Sequence, residues 1–541
     1  MAAVSVSYGD FGPNTTPSVS YQYDALGRRI GMSDGAGAST FQWDAFSRLV
    51  ASTDGAGKHV GYSYDLAGRL LTIGYPPGDT VSRAYDAAGR LTSVSDFFGL
   101  TTHFTYNADG RIAQRWYPNG IATFQLYDRD SRLVLIIDPI FSEIYLRDPL
   151  GLILHRFQSL GGDDKYSYTA LSQLASDQQH SFTYNAAERI TRLAGTNFSY
   201  DAAAELISAT SASASPVSFS YDARGERVSG SLGLSNAAYS YDGARRLSAF
   251  SGIASYAYTG DGLRAAKTVN AVTRNFVWDR AAKLPLVLDD GVNRYIYGPG
   301  GMPIEQVSGV RTSFFHTGQL GSIRGLSDAS GKRSAIFSYD AYGNKSPGYP
   351  GQPTTPFGFA GQYSDVESGL IYMCARYYDP LTGLFLTRDP LVALTRQPYT
   401  YAAGDPINLG DSSGLQASGS CSTSVPDSGA PPVSRLLADL QAGGGVSSTS
   451  TNRGWPVATA TASGPVTVNL GGWVYDPGTG SWTPAGQTGA VGTAMPGGPV
   501  TLNNGGWVYN PATGSWTPAG QNTTGVDTSG DFSISDSPEG Y

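Results

Sequence analysis

Two cysteines, Cys374 and Cys421, and five histidines are all that 541 residues offer for disulfide or soft-metal chemistry. That scarcity excludes a disulfide framework and a Cys/His zinc site, and no cofactor-binding pattern is legible. Charge is sparse as well, at 15% of residues, and a net −8 offers nothing to a nucleic-acid backbone. The sequence has no apolar run of about 18 residues to span a membrane. Its start at Met1 lacks the basic-then-apolar order of a signal peptide. These absences predict a soluble chain with no nucleic-acid partner, no membrane span and no cofactor. They leave the compartment open, because a large β structure outside the cell needs no disulfides. Plentiful instead are Gly (69) and Tyr (34), which suit a turn-dense, aromatic β protein.

The aromatics are not scattered. Tyr23-Asp24, Trp43-Asp44, Tyr64-Asp65, Tyr85-Asp86, Tyr106-Asn107 and Tyr127-Asp128 recur at intervals of 20, 21, 21, 21 and 21 residues. Most copies close with Gly-Arg or Ser-Arg and an aliphatic, as from Tyr64 to Leu70. Self-similarity at a fixed short period predicts an architecture built by stacking one unit. Within the copy from His103 to Asn119, Phe104 and Tyr106 alternate with Thr105 before a turn at Asn107 to Gly110. The Asn or Asp side chain can hold backbone amides, and the glycine can take positive φ, so each unit reads as two short strands and two turns. One hairpin cannot bury its apolar face, and neighbouring hairpins must pair edge to edge. The beat loosens further on, at Arg147-Asp148, Tyr168-Thr169, Tyr184-Asn185, Tyr200-Asp201, Tyr221-Asp222, Tyr241-Asp242 and Trp278-Asp279. The Tyr-Asp pairs read as scaffold, and the repeat arginines as stems over aromatic faces or partners of turn carboxylates. The start within about one unit of Tyr23 reads as a fragment or as one part of a larger assembly.

From Phe314 onward the sequence becomes idiosyncratic. Gly369-Leu370-Ile371-Tyr372 is followed by Ala375-Arg376-Tyr377-Tyr378-Asp379-Pro380, Thr382-Gly383, Phe385 and Arg388-Asp389-Pro390. This stretch, to Leu415, resembles the RHS-repeat-associated core of bacterial RHS/YD-repeat proteins, and the units from Tyr23 to Asp279 resemble the same family's YD repeats. The resemblance implies an all-β fold, a spiralling antiparallel ribbon of hairpins forming a full or partial shell, as in the B and C components of Tc toxins. It implies a core that seals one end and acts as an aspartate-type autoprotease, with the segment beyond it held inside. The family's aspartate pair falls on Asp389 and Asp411, and its scissile bond on Leu415-Gln416. Two carboxylates brought together cannot both ionise cheaply, so one can serve as acid while the other activates water. Asp411 is followed by Ser412 where relatives carry proline, which removes a fixed φ beside the bond to be cut. Self-cleavage and a plug that does not cut both remain open at this point. His316 and Cys374 read as structural, the histidine lacking a serine or cysteine partner at a recognisable spacing and the cysteine serving as a small buried hydrophobe.

The expected division is a YD-repeat ribbon over 1–313, the core over 314–415, a flexible Ser/Gly/Ala/Thr linker over 416–463 and two Trp/Gly hairpin repeats within 464–541. Trp473 and Trp507 are 34 residues apart, as are Trp482 and Trp516, and no toxin constellation is visible there. The leading reading is a structural shell or delivery protein, secreted or surface-associated, whose partner is another shell component or its own C-terminal segment. A carbohydrate- or envelope-binding protein and an inactive fragment of a longer RHS gene are the alternatives.

Overall fold

The computed structural model describes residues 2–8, 16–159, 162–348 and 351–419, together with the short strands Trp473–Asp476, Ser481–Pro484, Trp507–Asn510 and Ser515–Pro518. Contacts divide the chain into Met1–Val446 and Ser447–Tyr541. No helix among the described residues is long and apolar enough to cross a membrane.

One repeat shows how the sequence becomes structure. In the strand His59–Tyr64, Val60 and Tyr62 are buried while His59 and Ser63 face solvent, the period of two expected of a half-buried strand. Asp65 then stops the strand. Its Oδ1 accepts the Arg69 amide at 2.8 Å and its Oδ2 the Arg69 Nε at 2.6 Å. Those hydrogen bonds, the backbone one foremost, hold the Asp65 carboxyl below its ordinary range. Gly68 takes φ +84, a value side chains resist, and the chain reverses into Leu70–Tyr75. Arg69 also reaches forward: Nη1 donates to the Asp86 carbonyl at 2.9 Å, and the guanidinium lies 5.3 Å from the centre of the Tyr85 ring. Tyr85 returns the contact through its hydroxyl, which donates to the Leu70 carbonyl at 2.8 Å. The expected carboxylate and aromatic roles of the repeat arginines are thus filled by one side chain at once.

Repeated, this unit makes a sixteen-stranded sheet from Ala2–Val6 to Gly162–Lys165, every strand antiparallel to its neighbours in sequence. Smaller antiparallel sheets follow, then a seven-stranded sheet from Val277–Asp279 to Arg333–Ile336 and a four-stranded sheet from Tyr363–Asp365 to Leu384–Phe385. The only α-helix among the described residues is Val392–Thr395.

The ribbon's apolar face is covered by the chain's own later sheets. Tyr21 donates to the Gly260 carbonyl at 2.7 Å and Tyr75 to the Tyr295 carbonyl at 2.8 Å, while the Tyr117 ring meets Phe314 at 5.5 Å. Val19, Ile73, Phe104, Tyr295, Phe315 and Leu386 belong to one continuous buried cluster. Across these strands, side chains of the two layers touch, as in face-to-face sheet packing. The all-β antiparallel expectation is met, in the form of stacked sheets.

Charges cross the seams in pairs. Arg227 meets Asp379 at 2.7 Å, and Arg264 meets Asp365 at 2.7 Å, all four side chains buried. Glu305 has less company. Its Oε1 accepts the Thr102 hydroxyl at 3.1 Å across the layers, and burial, with Asp96 adding repulsion, pushes its carboxyl from 4.5 up to about 8.

Because Glu305 is harder to ionise folded than unfolded, its contribution is intact below pH 4.5 and is lost as pH rises towards 8. Urea melts across that window are expected to show stability falling with pH, and Glu305→Gln to flatten the slope. A second comparison separates wall from surface. Phe104→Ala is expected to cost about 3–5 kcal/mol in the same melts, and Leu66→Ala, at an exposed turn, less than about 0.5 kcal/mol.

Candidate active site

The hairpin of Leu370–Met373 and Arg376–Asp379 turns through Cys374, which has φ +52, and delivers Arg376 into the interior. Its guanidinium lies 3.7 Å from the centre of the Phe385 ring, and burial pushes it down to about 10 against the opposing charges of Asp389 and Asp411. Asp389 follows the strand Leu384–Phe385. Its Oδ1 accepts the Leu391 amide at 2.7 Å, and its Oδ2 the Thr395 hydroxyl at 2.8 Å. Asp411 follows Leu409–Gly410, and the chain then loops back over it. Its Oδ1 accepts the Ser413 hydroxyl at 3.1 Å and the amides of Leu415 and Gln416 at 3.1 and 3.2 Å.

The structure therefore brings together both sequence-predicted aspartates and the peptide expected to be cut. It also places a third group among them. Arg376 Nη2 stands 3.7 Å from Asp389 Oδ2 and 3.6 Å from Asp411 Oδ2, with all three side chains at most 3% exposed. The like-charge problem of two neighbouring carboxylates is met here by a shared cation. Arg376 further donates through Nε to the Gly414 carbonyl, one residue before the bond in question. Gly414 has φ +69, and a Cβ there would collide with the Met373 carbonyl, so only glycine lets the loop close this tightly. The Asp411 side chain is held by the loop it holds, without the proline ring that relatives place at Ser412.

Chemically, a protonated carboxyl within hydrogen-bond reach of an amide nitrogen can pass it a proton, and a second, ionised carboxylate can draw one from water. Leu415 is buried and Gln416 exposed.

His316 is fully buried, with Nδ1 2.7 Å from Asp138 Oδ2 and Nε2 2.8 Å from Ser327 Oγ. The serine partner that sequence spacing did not reveal lies on the adjacent strand, and Asp138 comes from the ribbon. Asp138 also accepts the Thr123 hydroxyl at 2.6 Å, and Ser327 accepts Asn119 Nδ2 at 2.9 Å, so this Asp-His-Ser line is sealed in as a cross-layer fastener. The Cys374 thiol is pushed up to about 12 by burial, with the charge of Asp411 adding to the effect, and stays protonated at neutral pH. Among the described residues no group of His, Cys, Asp and Glu has metal-binding geometry. In the second unit Trp473 opposes Pro484 and Tyr475 opposes Trp482, with the same register at Trp507 and Tyr509. The stacking role of these tryptophans and the flexible linker fall outside the described residues.

Removing Arg376 leaves two buried carboxylates without their cation. Arg376→Leu is expected to cost about 3–5 kcal/mol in thermal or urea melts. Combining it with Asp389→Asn and Asp411→Asn is expected to recover part of that loss.

A family model described as RHS Repeat matches residues 43–80 and 85–122. The tRNA nuclease WapA of Bacillus subtilis (strain 168) is 32% identical over 155 residues, 27% of this chain and 7% of that protein. Toxin protein Tse5 of Pseudomonas aeruginosa is 39% identical over 107 residues, 19% of this chain and 8% of that one. The chain thus spans under a tenth of these relatives' lengths. Among solved structures, TcdB2-TccC3 superposes with a TM-score of 0.58 at 16% identity, over 76% of this chain and 27% of that one, a likeness of fold. Residues 43–80 and 85–122 thus carry RHS repeats, and the all-β fold of the chain resembles that of TcdB2-TccC3.

Proposed function

We propose that this chain is the wall and plug of an RHS delivery protein that acts at the cell surface or beyond and hydrolyses its own Leu415-Gln416 bond. The observation that carries this is the contact of Asp411 with the Gln416 amide, while Arg376 links Asp411 to Asp389. In the proposed step Asp389 takes a proton from water as the oxygen attacks the Leu415 carbonyl carbon. Asp411, which enters the step protonated, gives that proton to the Gln416 nitrogen as the C–N bond breaks, leaving a carboxyl on Leu415, an amine on Gln416 and the proton from water on Asp389. Arg376, through the Gly414 carbonyl, holds the tight loop against Asp411 and links it to Asp389.

The delivery role rests on the relatives, which are a nuclease and toxins by name. Enclosure of a released segment would draw on a partner chain or on further repeats, because the apolar face of this ribbon is already occupied by the chain's own sheets.

Freshly expressed full-length chain is expected to run on a denaturing gel as fragments of 415 and 541 − 415 = 126 residues. The smaller fragment should have Gln416 at its N-terminus. Asp389→Asn and Asp411→Asn are each expected to leave one intact band. Intact wild-type protein, or cutting that persists in both variants, defeats the proposal.

A further inference from the structure

The ribbon's repeating pattern changes twice beside one cavity. In the flanking repeats the turn carboxylate takes its own repeat's arginine, as Asp86 does with Arg90 and Asp128 with Arg132, both at 2.7 Å. In the repeat between them the carboxylate is replaced by an amide, Asn107, whose Oδ1 still accepts the Arg111 backbone amide at 2.8 Å. The turn is kept and its negative charge is not. At Arg147 the aromatic is replaced instead. The guanidinium does the work of a tyrosine hydroxyl, donating to the Leu133 carbonyl at 3.1 Å, as Tyr127 does to the Ile112 carbonyl at 3.0 Å. Its other partners are neutral too: the Gly151 carbonyl at 2.8 Å and Asn408 Oδ1 at 3.5 Å. Burial pushes Arg147 below its ordinary range, with Tyr145 and Asp128 opposing the shift and Arg132 adding to it.

Arg111, Arg132 and Arg147 line a cavity of about 320 Å³ between the ribbon and the core, with Asp130 as its single acidic residue. Arg132 is matched by two carboxylates, Asp128 and Asp130, each at 2.7 Å. Formal positive charge at the cavity beyond that cluster comes from Arg111 and Arg147, in a chain of net charge −8. Its neutral polar lining includes Gln125 and Gln319, groups that both donate and accept hydrogen bonds, while Asn408 is held by Asp405, Tyr168 and the Ile153 amide. The half-buried Arg147, hydrogen-bonded only to neutral oxygens, asks for an anion, and neutral amides around it suit hydroxyls.

We propose that this cavity binds a sugar-sized ligand bearing a carboxylate or phosphate, with Arg147 meeting the anion. The site lies apart from Asp389 and Asp411 and does not depend on self-cleavage.

Isothermal titration of the full-length chain with glucuronate, glucose 6-phosphate, glucose and inorganic phosphate tests it. At least one acidic sugar is expected to bind about tenfold more tightly than glucose and than phosphate alone. Which of the two acids wins identifies the anion. Arg147→Tyr and Asn107→Asp each restore the pattern of the neighbouring repeats, so both should fold, with cooperative thermal melts as the check. Arg147→Tyr is expected to weaken acidic-sugar binding by at least about tenfold, and Asn107→Asp, which adds a negative charge beside the cavity, to weaken it to a smaller degree. Absence of acidic-sugar binding to the wild type overturns the proposal, as does glucose or phosphate binding equally well. Unchanged affinity in a folded Arg147→Tyr variant removes Arg147 from the site and overturns it too.

Discussion

The wall depends on a guanidinium that closes its own turn and fastens the next. A turn carboxylate alone would end one hairpin, and an aromatic alone would cover one neighbour. Arginine has donors enough for both tasks and a flat face for the ring between them. Arg28 with Asp24 and the Asp44 carbonyl, and Arg48 with Asp44 and the Asp65 carbonyl, repeat the geometry of Arg69. Each contact is part-exposed and individually modest. Their regularity fixes the register between hairpins, which edge-to-edge pairing would leave free to slip by two residues.

The core uses the same chemistry without repetition. Arg264 sits among Phe276, Tyr363 and Tyr372 with Asp365 as its counter-charge, and Arg376 sits over Phe385 between Asp389 and Asp411. A buried guanidinium on an aromatic face, with carboxylates at its edge, is what the ribbon places at its surface. In the core these sites are dry, so losing one partner costs more. Only the second is threaded by a backbone loop whose amides approach the carboxylate.

The ribbon was legible because its determinants are local. Val60 and Tyr62 alternate with polar neighbours, Gly68 follows Asp65 by three residues, and the hairpin follows from those spacings. What the sequence concealed is long-range. The partners of Arg264 and His316 lie 101 and 178 residues away, at Asp365 and Asp138. Arg376 was visible as a charge in an otherwise apolar, aromatic run, but nothing near it in sequence names Asp389 and Asp411 as its partners. The aspartates themselves were reachable through the family resemblance, and their meeting required the fold.

The cross-layer tyrosines add a constraint that local repeats do not have. Tyr21 pairs with Gly260 and Tyr75 with Tyr295, so successive hairpins of the wall are matched to successive positions of the second layer. Inserting one 21-residue unit between them would displace the wall by two strands, about 10 Å, relative to every partner beyond the insertion. A ribbon on its own can gain or lose units freely. This one is measured against its own later half, and the number of repeats it carries becomes a fixed length rather than an open count.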